Sequence, residues 1–163
     1  MKDRQTRENS ALDAFFKPKS VAIVGASSDP KKPGHTVLKN LVSMGYQGKV
    51  FPINLREDSI LGFRCYKSIL DIPEPVEACV LLVSADLTMQ VAKELAQRKS
   101  QYNDVLAAVC MSAGFGELGT SDGKQREREF VQILRSASIR LIGPNCVGMI
   151  DAYSGFNTSF DIP

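Results

Sequence analysis

The sequence lacks the features that mark several large classes of protein. Its 20 lysines and arginines nearly balance 18 acidic residues, so the net charge of +2 gives no reason to expect a nucleic-acid-binding surface. The longest apolar runs, 78–83 and 105–111, are far shorter than the ~20 residues that a membrane-spanning helix needs. Residues 1–10 hold no apolar segment that would mark a secretory signal. We therefore expect a cytoplasmic protein that binds neither nucleic acid nor membrane.

Cysteine and histidine are too few and too scattered to suggest a metal centre or a disulfide framework. The chain has four cysteines without a CxxC pair, and its only histidine is His35. His35 lies at the start of a predicted helix beside a lysine-bearing loop, which favours a role in starting that helix or contacting a phosphate over one in catalysis. Cys146 has no histidine assignable as its base, so we interpret it as a structural thiol and not as a nucleophile.

What the sequence does contain is a regular alternation of short apolar runs and amphipathic segments. Five runs rich in β-branched residues predict strands, and most segments between them carry apolar residues at helical spacing. The predicted strands are 20–25, 49–54, 78–83, 105–111 and 139–142, and the predicted helices are 11–16, 37–45, 87–98 and 124–136. This alternation predicts an α/β fold, a Rossmann-like doubly wound and mainly parallel sheet of about five strands with helices on both faces.

The length of the chain predicts one compact domain, because domains usually have about 100–200 residues. We assign residues 1–10 to a flexible tail, 11–150 to the domain and 151–163 to the start of a linker toward a following domain. Phe156 and Phe160 in that last segment are expected to be exposed where the next domain docks.

The loop after the first predicted strand has the composition of a phosphate cradle. In a doubly wound sheet the ligand lies outside the carboxyl ends of the strands, so the loops after them carry the function. Residues 25–34, GASSDPKKPG, offer glycines for close backbone approach, serine hydroxyls, two lysines and the start of a helix. The loop fits neither GxGxxG nor the P-loop, and a lysine-bearing surface turn is the alternative interpretation.

The second predicted strand favours a phosphorylated ribose over NAD. NAD sites place an Asp or Glu about 20 residues after the glycine loop, whereas this strand ends in PINLR, residues 52–56. Arg56 suits a phosphate on the ribose, as in NADP or in the 3′-phosphorylated ADP portion of CoA. The alternative for Arg56 is a solvated surface charge, and Glu57 or Asp58 would restore an NAD site if the strand were longer.

An ordered set of motifs resembles a known family. GAS at 25–27, VFPIN at 50–54, SAGFGE at 112–117 and RLIGPNCVGMID at 140–151 are similar, in this order, to the CoA-binding domain of NDP-forming acyl-CoA synthetases. That family includes ADP-forming acetate–CoA ligases and the α-subunit of succinyl-CoA synthetase, and the resemblance covers residues 12–163. It implies a chain that binds CoA without completing catalysis. The whole enzyme would convert acyl-CoA, phosphate and NDP into the carboxylic acid, CoA and NTP.

The resemblance also implies which residues meet CoA. One group would contact the phosphates, a second would border the adenosine, a third would border the adenine and pantetheine, and a fourth would surround the thiol end. In that order the groups are Gly25, Ala26, Ser27 and Lys32; Pro52, Asn54 and Arg56; Val83, Ser84 and Ala85; and Ser112, Gly114, Phe115, Glu117 and Asn145. Exposed backbone amides near Gly114 and Gly143 could stabilise an oxyanion during acyl transfer, and the alternative is a pair of tight turns that close the sheet.

The resemblance places the rest of the enzyme outside this chain. The family's phosphohistidine lies in a following domain, so the implied partners are a phosphohistidine domain and an ATP-grasp domain or subunit, and we assign no catalytic residue here. Leu55 and Ser84 stand where the family commonly has proline. This departure affects which contacts are expected in the adenosine pocket and leaves its expected location unchanged. The alternatives are a stand-alone CoA- or NADP-binding sensor, the N-terminal segment of a synthetase-like protein acetyltransferase, and an NADP-dependent oxidoreductase. The sequence leaves a homo-oligomer open.

Overall fold

A computed structural model describes residues 12–160 of the chain. The predicted tail at 1–10, Ala11 at the start of the first predicted helix, and residues 161–163 lie outside the described residues.

Strands and helices alternate along residues 12–160, as the sequence predicts. The strands are β1 (Ser20–Val24), β2 (Lys49–Ile53), β3 (Ser59–Ile60), β4 (Phe63–Arg64), β5 (Ala78–Leu81), β6 (Ala107–Cys110), β7 (Arg140–Ile142), β8 (Ile150–Asp151) and β9 (Phe156–Asn157). The helices are α1 (Asp13–Phe16), α2 (Pro33–Ser43), α3 (Ala85–Tyr102) and α4 (Ser121–Ser136), with short 3₁₀ helices at Ile69–Asp71 and Gly116–Leu118.

Five of these strands form one parallel sheet in the order β2-β1-β5-β6-β7. Each neighbouring pair is parallel, and Val24 at the end of β1 lies level with Ile53 of β2 and Leu81 of β5. The predicted doubly wound, mainly parallel sheet is therefore confirmed. The chain order reverses between β1 and β5, and at such a reversal a crevice opens outside the carboxyl ends of the strands.

The sheet divides the core into two layers because successive residues of a strand point to opposite faces. On β1, Ala22 and Val24 pack toward α3 and α4, whereas Val21 and Ile23 pack toward α1 and α2. All five residues of β1 are buried, as expected for the central region of a parallel sheet. The prediction of helices on both faces is confirmed.

Helix α3 begins earlier and ends later than its apolar spacing predicts. The third sheet strand stops at Leu81, the amide of Leu82 donates to the carbonyl oxygen of Val24, and the chain then turns into α3. The helix ends at Tyr102, and the capping residue Asn103 has a left-handed φ of 53° and donates its N–H to the carbonyl oxygen of Lys99. Residues 100–102 are exposed, so apolar periodicity could not reveal the last turn.

Two small antiparallel hairpins, β3–β4 and β8–β9, were not predicted from the sequence. Each strand has only two residues, which is too short for an alternating pattern to be recognised. In the first hairpin Leu61 and Gly62 both have positive φ, 48° and 83°, as a tight two-residue hairpin turn requires.

The expectation that Phe156 is exposed is wrong. Phe156 belongs to β9 of the second hairpin, its side chain is fully buried, and its ring centroid lies 5.3 Å from that of Tyr46. Phe160 is half-buried and packs against the same layer of the core. Burial and its hydrogen bond to the carbonyl oxygen of Pro18 hold Tyr46 in place, and burial raises the pKa of its hydroxyl.

No α-helix within residues 12–160 is both long enough and apolar enough to cross a membrane.

Candidate functional site

A cleft of about 340 Å³ opens where the order of the sheet strands reverses. Its volume falls in the range of about 300–1,000 Å³ that is usual for ligand pockets. The lining residues come from the ends of β1, β2 and β5, from the segment before the first 3₁₀ helix, and from one face of α3. They are Val24, Gly25, Lys32, Ile53, Asn54, Leu55, Arg56, Lys67, Ser68, Ile69, Val83, Leu87, Gln90, Val91 and Glu94.

Gly25 is required where the loop after β1 crosses the loop after β5. Its φ is +92°, and a Cβ at this position would lie 2.5 Å from the carbonyl oxygen of Leu82. Gly34, in the first turn of α2, is packed so closely that a Cβ there would collide with the carbonyl oxygen of Gly25. The two glycines therefore bring the start of α2 directly against the end of β1.

Backbone donors without partners lie in the glycine loop and in the first turn of α2. Within residues 12–160 the backbone amides of Ala26, Ser27 and Gly34 have no hydrogen-bond partner. Lys32 directly precedes α2, lines the cleft and forms no ion pair with any described residue. Free amides and a cation at the N-terminus of a helix favour a phosphate group. Ala26, Ser27 and Gly34 are buried as whole residues, and none of the three is among the residues that line the cleft.

The remaining polar groups of this loop hold its shape. The Ser27 hydroxyl accepts a hydrogen bond from the amide of Asp29 at 3.1 Å, and the Ser27 carbonyl oxygen lies 3.1 Å from Nδ1 of His35. His35 is the third residue of α2, so its observed contact ties the helix start to the loop.

Asn54 and Glu57 lock the loop after β2 to the glycine loop. Asn54 Nδ2 donates to the carbonyl oxygen of Ala26 at 2.8 Å, and its Oδ1 accepts the amides of Arg56 and Glu57. Glu57 Oε1 accepts the amide of Ser28 at 3.1 Å, and this hydrogen bonding lowers the pKa of the Glu57 carboxyl. Glu57, the acidic residue that would have restored an NAD site, is thus engaged by the glycine loop.

Two more basic side chains flank the cleft. Arg56 lines it, is exposed and forms no ion pair with any residue between 12 and 160. Lys67 lines it from the other side and donates to Asp58 Oδ1 at 3.0 Å and to the carbonyl oxygen of Glu57 at 2.9 Å. Pro52, by contrast, is buried within β2, and its carbonyl oxygen accepts the amide of Tyr66.

One face of α3 lines the cleft, and none of the residues on that face was predicted to belong to the site. Leu87, Gln90, Val91 and Glu94 follow the i, i+3, i+4, i+7 spacing of a single helix face. The neighbouring face with Thr88, Ala92 and Leu95 is the one buried in the core. Apolar residues at helical spacing predicted the face of α3 that packs in the core. The signal that could have predicted the cleft is the adjoining face, which mixes polar and apolar residues.

The residues predicted to surround the thiol end form a second group at the same edge of the sheet, outside the cleft. The amide of Asn145 donates to the carbonyl oxygen of Ser112 at 3.1 Å, which joins the loops after β6 and β7. Ser84 is exposed and directly precedes α3, and the half-buried Ala85 lies against Gly114, so these residues connect the cleft to the second group. Ser84, Ala85, Ser112, Gly114, Phe115, Glu117 and Asn145 are absent from the cleft lining.

Several of these side chains have structural contacts. The Ser112 hydroxyl is buried and accepts a hydrogen bond from Thr88 Oγ1 at 2.9 Å. Phe115 is fully buried against Phe130, with ring centroids 5.3 Å apart, so it is placed as a core residue. Asn145 is exposed, has a φ of 53°, and its side chain has no hydrogen-bond partner among the described residues.

The Glu117 carboxylate occupies the amides that were expected to be open for an oxyanion. It accepts hydrogen bonds from the amides of Gly114 and Phe115, and these bonds lower the pKa of the Glu117 carboxyl. The next amide, that of Gly116, donates to Glu127 Oε2 at 2.9 Å. The loop therefore offers an arrangement of donors that suits an anion, and two carboxylates of the chain fill it.

The thiols near this edge are placed as structural groups. Cys146 is half-buried, and its Sγ donates to the carbonyl oxygen of Cys110 at 3.3 Å. Burial raises the pKa of the Cys110 thiol to about 11. Within the described part of the chain, no three His, Cys, Asp or Glu side chains are grouped as metal ligands would be.

Comparison with known proteins identifies the family of the chain. The sequence model of a family described as CoA binding domain matches residues 19–152. The ADP-forming acetate–CoA ligase II subunit alpha of Pyrococcus furiosus is 41% identical over 150 residues, which cover 91% of this chain and 31% of that protein. The ADP-forming acetate–CoA ligase of Methanocaldococcus jannaschii is 36% identical over 143 residues, covering 88% of this chain and 19% of that protein. The chain thus spans less than a third of each of these relatives.

A solved structure gives the same result. The dinucleotide-forming acetyl-coenzyme A synthetase 1 of Ca. Korarchaeum cryptofilum, in complex with phosphate and ADP, matches with a TM-score of 0.84 at 36% identity. The match covers 91% of this chain and 30% of that one. The family match over most of the chain and the relatives at about this level of identity confirm the resemblance, and the chain belongs to the family of CoA-binding domains.

Proposed function

We propose that the chain seats CoA along the carboxyl edge of its parallel sheet and serves as the CoA-binding part of an ADP-forming acyl-CoA ligase. The single observation that carries this proposal is the cleft at the strand-order reversal, with two cations, Lys32 and Arg56, that no described carboxylate neutralises by an ion pair. An unpaired lysine and arginine beside free backbone amides suit a ligand with several phosphates.

Lys32 and Arg56 would contact different phosphates of CoA, the pyrophosphate and the 3′-phosphate. Lys32 and the amides of Ala26, Ser27 and Gly34 lie together at the start of α2 and would hold the pyrophosphate. Arg56 lies at the end of β2, where a doubly wound sheet places the ribose, and would hold the 3′-phosphate. Its planar guanidinium can donate two parallel hydrogen bonds to a phosphate.

From the cleft, the pantetheine arm would pass Val83 and Ala85 to reach the second group of loops. Ala85 contacts Gly114, and Ser112 is hydrogen-bonded to Asn145, so these residues form a continuous path along the edge of the sheet. The thiol would then lie near the exposed Asn145 side chain. There it would meet an acyl phosphate supplied by the remainder of the enzyme.

The remainder of the enzyme would supply the phosphoryl transfer. The relatives are three to five times as long as the matched region, which leaves room for the phosphohistidine and ATP-grasp domains implied by the resemblance, in one chain or as a subunit. The whole assembly would convert acyl-CoA, phosphate and ADP into the acid, CoA and ATP. This chain contributes the binding of CoA and no catalytic residue.

Calorimetric titration of the chain with CoA, dephospho-CoA, NADP and NAD tests the proposal. We expect CoA to bind most tightly, and dephospho-CoA about tenfold more weakly because it cannot pair with Arg56. Arg56→Gln should weaken CoA by about the same factor and leave dephospho-CoA nearly unchanged. Arg140→Gln is the matched control, because Arg140 is an exposed arginine at the amino end of β7, at the opposite edge of the sheet.

Two outcomes would contradict the proposal. One is tight binding of NAD with no signal for CoA. The other is an equal loss of CoA and dephospho-CoA affinity in Arg56→Gln, which would show that Arg56 does not contact the 3′-phosphate.

A further inference from the structure

The end of the cleft farthest from the glycine loop is formed by α3. The helix starts at the carboxyl edge of the sheet and runs back alongside it, so its later residues lie farther from that edge. Leu87 and Glu94 are seven residues apart on the cleft face, which places them about 10 Å apart along the helix at 1.5 Å per residue. Glu94 therefore marks the inner end of the cleft.

Glu94 is held in position by two neutral donors. Ser68 Oγ donates to its Oε2 at 2.7 Å, and Gln90 Nε2 donates to its Oε1 at 3.2 Å. A carboxylate has about four lone-pair positions, so these two hydrogen bonds leave acceptor capacity on both oxygens. In the region the structure describes, no lysine, arginine or histidine lies within ion-pair distance of this half-buried carboxylate.

Apolar side chains line the cleft together with this carboxylate. Ile53, Ile69 and Val91 line the cleft as apolar side chains, while Glu94 supplies the acceptor. An acceptor that lacks a cationic partner within an apolar slot favours a ligand group that carries N–H donors. The 6-amino group of adenine is such a donor. In hypoxanthine and guanine the 6-oxo group places an acceptor at that position, and the neighbouring N–H donor is at N1.

We propose that Glu94 is the specificity-determining residue of the cleft and accepts a hydrogen bond from the 6-amino group of adenine. This inference rests on the proposed function, because it assumes that the nucleotide portion of CoA occupies the cleft. Glu94 also makes the two ends of the cleft opposite in charge. Its negative charge disfavours a phosphate at the inner end, whereas Lys32 and Arg56 attract phosphates at the other side, so the base enters the slot and the phosphates stay at the edge of the sheet.

The test compares two ligands that differ at the 6-position of the base, adenosine 3′,5′-bisphosphate and inosine 3′,5′-bisphosphate. Titration calorimetry on the unmodified chain should show a preference of about tenfold or more for the adenosine compound. In Glu94→Gln the side-chain amide can donate to the 6-oxo group, so the preference should fall to within about threefold. The change should combine a loss of affinity for the adenosine compound, because a neutral amide oxygen is a weaker acceptor than a carboxylate, with a gain of affinity for the inosine compound.

A matched control exists on α4. Gln125 Nε2 donates to Glu129 Oε1 at 2.9 Å, the same spacing of partners as Gln90 and Glu94, but outside the cleft. Glu129→Gln should keep the full preference for adenosine. If Glu94→Gln does not fold, Glu94→Asp withdraws the carboxylate by one methylene and should lower the preference in the same direction.

The outcomes separate this inference from the function on which it rests. If CoA binds but the chain does not distinguish the two bisphosphates, or if Glu94→Gln keeps the full preference, the role of Glu94 is overturned and the proposed function stands. If neither CoA nor either bisphosphate binds, both are overturned. A preference that falls in Glu94→Gln and persists in Glu129→Gln supports the assignment.

Discussion

Two carboxylates hold the loops of the sheet edge by accepting hydrogen bonds from backbone amides. Glu57 binds the amide of Ser28 in the glycine loop, and Glu117 binds the amides of Gly114 and Phe115. In each case the hydrogen bonds favour the charged carboxylate and lower its pKa. Because a bound anion would accept hydrogen bonds from the same amides, the position of a single carboxylate side chain determines whether each amide can bind an anion.

Replacement of Glu117 should produce a pH-dependent loss of stability. Hydrogen bonds from the amides lower the pKa of Glu117 below its unfolded value of about 4.3, so its contribution is fully present above that pH and is lost as the pH falls through the folded pKa. Glu117→Gln should therefore lower the melting temperature at pH 7, and the difference from the unmodified chain should shrink toward pH 3. Thermal unfolding monitored by circular dichroism from pH 7 to pH 2.5 measures this.

Glu129→Gln is the control for this titration, because Glu129 is exposed on α4 and makes no hydrogen bond to a loop amide within residues 12–160. A difference for Glu117→Gln that stays constant across the whole pH range would show that the loss arises from packing and not from the charged carboxylate.

At the scale of elements, buried Arg98 joins α3 to the segment that lines the cleft. Only 2% of its side chain is exposed, and its guanidinium donates to the carbonyl oxygens of Ile69, Ile72 and Glu74 at 2.7 to 2.9 Å. It also pairs with Asp104 at 2.7 Å. The charge is thus satisfied by hydrogen bonds on all sides, which is the condition under which an arginine can be buried.

Arg98→Met should destabilise the protein strongly, because it keeps the apolar volume but leaves Asp104 and three carbonyl oxygens without their partner. The free energy of unfolding should fall by about 3–5 kcal/mol, as is usual when one member of a buried ion pair is removed. Affinity for CoA should fall as well, because the adjoining Ser68 and Ile69 line the cleft. Urea unfolding gives the first quantity and calorimetry the second.

Arg128→Met provides the comparison, since Arg128 is exposed on α4 and should change the free energy of unfolding by no more than about 0.5 kcal/mol. Equal and small effects of the two substitutions would mean that water reaches Arg98 and replaces its protein partners.

At the scale of the whole molecule, the segment after β7 is part of the packed structure. Phe156 is fully buried, and Asn40 Nδ2 on α2 donates to the carbonyl oxygen of Ser159 at 2.9 Å. The amide of Thr158 donates to the carbonyl oxygen of Met149 at 2.8 Å. The sequence predicts the start of a linker at residue 151, and that boundary stays a prediction about a longer protein.

Phe156→Ala distinguishes a packed segment from a linker. Removal of a fully buried phenylalanine should lower the free energy of unfolding by about 3–5 kcal/mol. Tyr153→Ala in the same hairpin is the control, because Tyr153 is fully exposed and should cost no more than about 0.5 kcal/mol. Chemical denaturation of the three proteins measures both values. A cost for Phe156→Ala as small as that for Tyr153→Ala would place the segment outside the cooperative fold.

Much of the architecture was predictable because it depends on patterns of apolar residues within single strands and helices. The run 20–25 is almost wholly apolar, as expected of a strand covered on both faces, and the helices between strands repeat apolar residues at a period of 3.6. The motifs GAS, SAGFGE and GPNCVG identified the family, which comparison confirmed. The two hairpins were missed because strands of two residues carry no periodicity.

The sequence by itself therefore determined the alternation of strands and helices, the parallel sheet and the family of CoA-binding domains. Only the tertiary structure decided which side chains meet: that Glu57 and Glu117 occupy loop amides, that Phe156 is buried, and that Glu94 forms the inner end of the cleft. The physical reason is distance along the chain. Periodicity reports the environment of a residue within its own element, whereas a cleft is made by residues from several elements that are brought together only when the sheet and its helices pack.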